Sequence, residues 1–252
     1  MSVIPSTEQS LTLADFPNRQ EFYRYLYRHL KPGWEDSLAI YIRSISQHVH
    51  TDTHVLDIGC GHGDFLRDVY ARTPHTYGID PDAEALASNS IIQHTTVGST
   101  DQLLFEDQFF DLVVSAWVLE HLEQPEQAFQ EVYRVLKPGG RVIFLTPNAW
   151  NYNVWLIRMF PNRLHSFFVR WLYKRQECDT YPVRYAINSP LRIQRILGSI
   201  GFRKVHMILN GDPTYISFNK LLFFLACRLE AILDLKCFRC ARVHIISIYE
   251  KP

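Results

Sequence analysis

The chain of 252 residues has no long hydrophobic run. Its longest unbroken apolar stretch, Leu221 to Cys227, spans seven residues, whereas a helix that crosses a bilayer needs about 20. We therefore expect no transmembrane helix. The first residues, Met-Ser-Val-Ile-Pro, lack the basic and then apolar pattern of a secretion leader, so we expect a protein that is not secreted.

Cysteine and net charge are also scarce. Five cysteines, an odd number, do not suggest a disulfide framework and favour a reducing compartment, which predicts a cytoplasmic location. The net charge of zero hides an asymmetry, because residues 1–150 carry 10 Lys and Arg against 20 Asp and Glu, while residues 151–252 carry 16 against 6. The basic part predicts an anionic partner: lipid head groups, a phosphorylated substrate or nucleic acid.

What is present is a globular composition, 47% hydrophobic and 21% charged, which excludes disordered and fibrous proteins. Residues 18–50 read as two helices, and short β-rich runs then alternate with helical stretches. The predicted strands are HVLDI, HTYGID, QHTTVG, FDLVVSAW, RVIFLTP, RKVHMIL and RVHIISIYEKP. The predicted helices are GCGHGDFLRDVYAR, PDAEALASNS, EQAFQEVYRVL, which Lys137-Pro138-Gly139-Gly140 stops, and SPLRIQRILGSIGF. This alternation predicts a doubly wound, mostly parallel α/β sheet with helices on both faces.

A glycine-rich loop, Gly59, Gly61 and Gly63, follows the first predicted strand and opens a helix. Such a loop either makes a tight turn without a ligand or brings a ligand against bare backbone amides. A dinucleotide fingerprint would need a third glycine at position 64, where the chain has Asp64, so NAD is disfavoured.

Two acidic residues flank this loop. Asp80, about 20 residues beyond it, could accept both hydroxyls of a ribose, or could instead cap a helix before Pro81. Asp57 lies in an otherwise apolar strand and needs a partner, for which the ammonium group of a ligand would serve.

The segments VLDIGCGHGDF, YGID, FEDQFFDLVVSAWVLEHL and AFQEVYRVLKPGGRVIFLTPN resemble, in order and spacing, the motifs of class I S-adenosylmethionine-dependent methyltransferases. The resemblance covers about residues 53–148 and is strongest to the broad small-molecule group that includes quinone and sugar methyltransferases. It implies a Rossmann-like sheet of seven strands in the order 3-2-1-4-5-7-6, with the last strand antiparallel and with helical insertions.

The resemblance also implies S-adenosylmethionine as cofactor. The three glycines would approach its methionine part, Asp57 its amino group and Asp80 its ribose. The full set of candidate cofactor-binding residues is Asp57, Gly59, Cys60, Gly61, Gly63, Asp80, Pro81, Ser99, Thr100, Asp101, Ser115 and Ala116. The family often has Gly-Asp after the third strand, where this chain has Gly98-Ser99-Thr100-Asp101, so we expect loop amides, Ser99 and packing to hold adenine, with Asp101 as a substitute.

His121, after the fourth strand, is the candidate general base, and a structural histidine facing the cofactor loop is the alternative. We expect its neighbour Glu120 to be solvated or to cap the next turn. The predicted activity is O-methylation of a small or lipid-linked acceptor such as a saccharide, a glycolipid or a quinone-like molecule. The contrasting hypothesis is a catalytically silent cofactor-binding scaffold that binds a membrane surface or a partner.

We expect one domain, 1–252, with N-terminal helices 1–52 covering the cofactor site, a cofactor-binding core 53–148, and inserted excursions 149–187 and 211–240 on the substrate side. The segment KRQECDTYPVRYAINSP is either an ordinary polar loop or an acceptor-binding segment. Its candidate substrate residues are Glu177, Asp179, Tyr181, Arg184 and Tyr185.

Two stretches could touch a membrane. NRLHSFFVRWLYKR places Arg163, Arg170 and Lys174 on one helix side and apolar residues on another, and FNKLLFFLACRLEAILDL is more apolar. Burial against the domain, or a role as the wall of an acceptor pocket, explains both equally well. No base-reading module is visible, so we expect no nucleic-acid partner.

Cys237 and Cys240 form a single CxxC pair with His244 as the only well-spaced companion. Zinc sites usually need a second pair, so we expect no metal site here.

Overall fold

Seven β-strands form one mixed sheet in the computed structural model, which describes residues 11–152 and 182–252. The strands are β1 (Val55–Ile58), β2 (Thr76–Asp80), β3 (His94–Val97), β4 (Phe110–Ala116), β5 (Leu136–Pro147), β6 (Arg203–Asn210) and β7 (His244–Glu250). Their order is β3-β2-β1-β4-β5-β7-β6. Strands β1 to β5 pair in parallel, and β7 runs antiparallel to both β5 and β6. The predicted order and antiparallel last strand are confirmed.

Helices cover both faces of this sheet. Within the described residues they are α1 (Arg19–Leu30), α2 (Ser37–Ser46), α3 (Arg67–Tyr70), α4 (Ala83–Ser88), α5 (Pro125–Val135), α6 (Pro190–Ile200) and α7 (Lys220–Leu233). Apolar side chains of α5 and α6 form a core on one face, and those of α2, α3 and α4 form a second core on the other. Both faces of β4 are thereby buried, as its apolar sequence predicts.

Two segments differ from the sequence-based expectation. The helix expected directly after the glycine loop is a 3-10 turn, Asp64–Leu66, followed by only the short α3. The left-handed backbone of the three loop glycines keeps the first part of the predicted segment out of any helix. The Lys137-Pro138-Gly139-Gly140 stretch belongs to β5, since the helix ends at Val135 and pairing with β4 starts at Leu136.

The N-terminal helices reach the edge of the sheet where the parallel strands end. His244 pairs with Pro147 at the carboxyl end of β5, and its Nδ1 lies 2.8 Å from the hydroxyl of Ser37, the first residue of α2. Tyr23 of α1 stacks on Phe223 of α7 with ring centroids 4.7 Å apart. Helix α2 therefore lies near the edge where ligands of such sheets bind, and α1 packs against α7.

None of the helices in the described part of the chain is long and apolar enough to cross a membrane.

Candidate active site

The chain leaves β1 through three glycines with left-handed backbone. Their φ angles are 71° at Gly59, 45° at Gly61 and 74° at Gly63. The Gly59 amide donates to the carbonyl of Ile79 at 2.8 Å, and a Cβ added at Gly59 would lie 2.1 Å from Cγ2 of Val118. The loop therefore packs between the end of β2 and the turn after β4, and only glycine fits at position 59.

Asp80 ends β2 and fastens this loop. Its buried carboxylate accepts the Gly61 amide at 2.9 Å on Oδ2 and the Asp82 amide at 2.9 Å on Oδ1. Each oxygen keeps a lone pair that could accept a ribose hydroxyl. The helix cap of α4 is Asp82, whose side chain accepts the amides of Glu84 and Ala85, so the alternative reading of Asp80 as that cap is wrong.

Asp57 is buried inside the sheet next to the loop. The hydroxyl of Tyr70 donates to its Oδ2 at 2.7 Å. Burial raises the pKa of Asp57 to about 7, although the Tyr70 hydrogen bond acts in the opposite direction and the nearby Asp80 carboxylate adds to the rise. A cation bound beside Asp57 would favour its ionised form, so the site suits an ammonium group.

The loop after β3 offers an unsatisfied acceptor. Asp101 Oδ1 is buried and accepts no hydrogen bond within the described residues, while Oδ2 lies 3.4 Å from the Ser99 hydroxyl. A buried acceptor without a donor is costly unless a ligand supplies one. Asp101 therefore fits the amino group of an adenine, and Thr100 lines a narrow cleft beside it together with Ile58 and Ser115.

The other predicted cofactor residues frame the same edge. Cys60 and Ala116 are buried, and Pro81 is exposed at the end of β2. The hydroxyl of Ser115 donates to the carbonyl of Ile58 at 3.1 Å, so this side chain ties β4 to β1.

His121 lies in the short 3-10 turn Leu119–His121 after β4. Its Nδ1 is 3.1 Å from the carbonyl oxygen of Pro182. A carbonyl only accepts, so Nδ1 carries the proton, and the lone pair of the neutral ring is on Nε2. The turn thus presents a histidine in the tautomer that a general base needs.

Glu120 is buried, with 7% of its surface exposed, so the expectation that it is solvated or caps a turn is wrong. Its Oε2 accepts the Thr146 hydroxyl at 3.1 Å, and its backbone carbonyl accepts the amides of Arg184 and Tyr185. Asn188 contacts the same Thr146 hydroxyl. Sequence reasoning missed Thr146 and Asn188 because no local pattern links residues that only the fold brings together.

A second polar group at this edge was also missed. His244 contacts Ser37 through Nδ1 at 2.8 Å and the Tyr215 hydroxyl through Nε2 at 3.0 Å. Burial lowers the pKa of His244 to about 4, so the ring is neutral at physiological pH. Trp117, with a φ of 60°, meets the His244 ring edge to face at 5.0 Å. The signal available in the sequence was the histidine at the start of an apolar strand.

The CxxC pair is exposed, whereas both ring nitrogens of its companion His244 have hydroxyl partners. In the part of the chain that the structure describes, no group of three or more His, Cys, Asp or Glu could hold a metal ion.

The predicted substrate residues are only partly described. Arg184 is exposed and forms an ion pair with Glu123, and Tyr185 has a φ of 52°. The remaining candidates lie outside the described residues: Glu177, Asp179, Tyr181, and the basic set Arg163, Arg170 and Lys174.

A glycine loop, a carboxylate ending the next strand and a sheet of this order define a Rossmann-like cofactor-binding domain. Residues 56–144 match the family model described as a methyltransferase domain. Residues 56–144 therefore form a methyltransferase domain of the class I S-adenosylmethionine-dependent type, a domain whose cofactor is S-adenosylmethionine.

Known proteins with similar sequences or folds include other methyltransferases. The chain is 30% identical over 157 residues to phosphoethanolamine N-methyltransferase 2 of Caenorhabditis elegans, and the aligned region covers 55% of this chain and 36% of that protein. It is 30% identical over 166 residues to the ubiquinone/menaquinone biosynthesis C-methyltransferase UbiE of Rubrivivax gelatinosus, covering 60% of this chain and 63% of the relative. The chain thus spans less than two thirds of the length of either protein.

The fold is similar to that of an S-adenosylmethionine-dependent methyltransferase from Mesorhizobium loti. The TM-score is 0.55 at 18% identity, covering 83% of this chain and 95% of the other.

Proposed function

We propose that the protein is an active methyltransferase that methylates a hydroxyl oxygen of a small or lipid-linked acceptor, such as a saccharide, a glycolipid or a quinone-like molecule. The names of relatives support a small-molecule acceptor, since they include a quinone-biosynthesis C-methyltransferase and ubiquinone biosynthesis O-methyltransferases. The observation that carries the proposal is the His121 ring, fixed by the Pro182 carbonyl in the tautomer of a base.

When bound, S-adenosylmethionine supplies a methyl group already activated by a positively charged sulfur. We propose that the glycine loop accepts the methionine part, because an added Cβ at Gly61 would meet only Asp80 Oδ2, at 4.0 Å, so that a ligand can approach the backbone there. Asp57 would hold the amino group, Asp80 the ribose hydroxyls and Asp101 the adenine amino group. The unsatisfied Oδ1 of Asp101 supports the last assignment.

His121 would take the proton of the acceptor hydroxyl at Nε2 as the oxygen attacks the methyl carbon. The hydrogen bond from Nδ1 to Pro182 would orient the ring and stabilise the imidazolium that forms. Positioning the acceptor in line with the departing sulfur supplies the rest of the rate enhancement.

Helices α1 and α2, with the excursion 211–240, would form the cover of this edge. The contacts of Ser37 and Tyr215 with His244 support that placement. A cytoplasmic location also belongs to the proposal, and it agrees with free cysteines at positions 60, 227, 237 and 240.

The test is incubation of the protein with methyl-labelled cofactor and fractionated extract, followed by mass spectrometry of the lipid, glycan and small-molecule fractions. We expect a labelled O-methyl product. No labelled product in any fraction would favour the silent scaffold, and a label on carbon or nitrogen would refute O-methylation.

With the identified acceptor, His121→Gln should lower kcat/KM by about 10²–10⁴-fold while cofactor affinity is unchanged. His29→Gln is the matched control, because the His29 ring also contacts a backbone carbonyl, that of Tyr25, at 2.9 Å. Full activity in His121→Gln would assign His121 a structural role.

A further inference from the structure

Helix α7 is apolar on two opposite faces. Its inward face buries Phe223, Ala226 and Leu233, and Phe223 stacks on Tyr23 of α1. This face explains how the helix is attached to the domain. A surface helix normally presents polar residues on the other side, so the composition of the outward face requires its own explanation.

The outward face exposes large apolar side chains at helical spacing. Exposed fractions are 69% for Leu221, 54% for Phe224, 57% for Leu225 and 51% for Ile232, and the stripe continues after the helix with Leu235 at 56% and Phe238 at 48%. Single exposed apolar residues are ordinary, whereas a contiguous stripe marks an interaction surface. We call the outward residues 220–239 the α7 surface.

Positive charge accompanies this stripe. Lys220, Arg228, Lys236 and Arg239 are exposed. Arg228 lies within the stripe itself, four residues after Phe224 and four before Ile232, so it shares the outward face with these two side chains.

The acidic residues of this segment are engaged elsewhere. Glu230 is 1% exposed and accepts the Tyr152 hydroxyl at 3.0 Å. Asp234 accepts Lys31 at 2.7 Å and also pairs with Arg242. The α7 surface therefore presents cations whose charge these acids do not neutralise, and it complements an anionic partner.

The position of the α7 surface relates it to the site. Tyr152, the partner of Glu230, follows β5 by five residues and so lies past its carboxyl end. Helix α7 also packs on the 3-10 turn Pro213–Ile216, whose Tyr215 contacts His244. The surface thus belongs to the same edge of the sheet as the cofactor loop.

We propose that the α7 surface docks on an anionic phospholipid bilayer. The apolar side chains enter the interface between head groups and acyl chains, and the four cations meet the phosphates of the head groups. Docking of this kind goes beyond the proposed function, since it holds for a lipid-linked and for a water-soluble acceptor alike.

The test is sedimentation of the full chain with vesicles, either of phosphatidylcholine alone or with added phosphatidylglycerol, at low and high salt. One variant combines Leu221→Gln, Phe224→Gln and Leu225→Gln, and a second combines Lys220→Gln, Arg228→Gln and Lys236→Gln. The matched control combines Leu191→Gln, Arg192→Gln and Arg195→Gln, three exposed residues of α6.

We expect binding to the anionic vesicles that weakens with salt. Each cation near such a surface contributes about a fivefold factor, so the variant that removes three cations should lose at least roughly tenfold in partition coefficient. The apolar variant should lose at least roughly tenfold as well, because less apolar surface enters the interface, while the control binds like the parent chain. Unchanged binding of S-adenosylhomocysteine shows that the variants are folded, and it separates this outcome from any failure of the methyl-transfer proposal.

Three results would overturn the proposal: no binding to anionic vesicles at low salt, binding by both variants that equals that of the parent chain, or a parent dimer that light scattering shows to dissociate in the apolar variant. The last result would assign the α7 surface to a contact between two copies of the chain.

Discussion

At the scale of single residues, the Asp80 carboxylate combines two tasks, because it holds the Gly61 amide and is proposed to hold the ribose. Asp80→Ala should weaken binding of S-adenosylhomocysteine by about 1–3 kcal/mol in calorimetry, through two lost hydrogen bonds. Asp82→Ala removes the α4 cap instead, so it should lower stability by about 1 kcal/mol and leave affinity unchanged.

A ligand without ribose hydroxyls separates the two tasks of Asp80. A dideoxyribose analogue should lose less affinity than S-adenosylhomocysteine does on Asp80→Ala, because only the loop contact to Gly61 still depends on Asp80. If Asp80→Ala loses as much affinity for the analogue as for S-adenosylhomocysteine, Asp80 acts only by holding the loop. If its affinity for S-adenosylhomocysteine is unchanged, the ribose assignment is wrong.

Gly59 should tolerate no side chain, for a reason that goes beyond its backbone angle. Gly139 has a similar positive φ, 80°, with nothing within 4 Å of an added Cβ, so Gly139→Ala should cost only about 1–2 kcal/mol of strain. Gly59→Ala adds the collision with Val118. Thermal denaturation should show a larger loss for Gly59→Ala, partly recovered by Val118→Ala, and equal losses at both positions would contradict this.

The buried Asp57 carboxyl should make stability depend on pH. Burial raises its pKa from 3.8 to about 7, so the folded chain holds this proton more tightly than the unfolded chain. The resulting stabilisation is complete below pH 3.8 and is lost as the pH rises through about 7. The free energy of unfolding of the cofactor-free protein should therefore decline with pH across this window.

Urea denaturation at pH values between about 4 and 8 measures this decline. Asp57→Asn cannot titrate and should show a shallower decline than the parent. Glu230, whose pKa burial also raises to about 7, contributes to both proteins, so the difference between them reports Asp57. Parallel pH profiles would show that Asp57 does not titrate in this range.

At the scale of elements, two glycines of the α6 region should respond oppositely to the same substitution. Gly198 lies within α6 with nothing within 4 Å of an added Cβ, whereas Gly201 caps the helix with a φ of 113°. Gly198→Ala should raise stability by about 0.5–1 kcal/mol through helix propensity. Gly201→Ala should lower it by about 1–2 kcal/mol through left-handed strain. Thermal unfolding measures both, and a stabilising Gly201→Ala would contradict the cap.

The elements also show where local patterns predict structure and where they do not. Helix α6 was predictable because Pro190 and Gly201 mark its ends locally. The start of β5 was not, since Lys137 to Gly140 read as a helix stop. In this stretch the Gly139 amide donates to the carbonyl of Lys251 at 2.7 Å. Residues that end a helix locally are thus held in the sheet by a residue more than a hundred positions away.

At the scale of the whole molecule, cofactor binding should couple to global stability. A ligand that binds only the folded chain adds about 2.7 kcal/mol at one hundred times its dissociation constant, so S-adenosylhomocysteine should raise the unfolding temperature. NAD should not, because the loop carries Asp64 where a dinucleotide fingerprint has glycine. Scanning calorimetry with each ligand checks this, and an equal rise with NAD would contradict the cofactor assignment.

The charge asymmetry of the chain is also organised at this scale. Pairs such as Arg24 with Asp212 and Lys31 with Asp234 join bases of the acidic part to acids of the basic part. These pairs neutralise acidic residues of the C-terminal part, whereas the cations of the α7 surface are exposed to solvent. Composition revealed the asymmetry, but only the fold shows which charges face solvent.

The sequence by itself determined the alternation of strands and helices, the glycine loop and the two carboxylates beside it, because each depends on residues close together in the chain. The tertiary structure decided the properties that depend on distant residues: the Val118 contact that restricts Gly59, the burial of Glu120 against Thr146, and the neutral His244 between Ser37 and Tyr215. Burial and hydrogen bonding between distant segments arise only when the sheet assembles, and no local pattern encodes them.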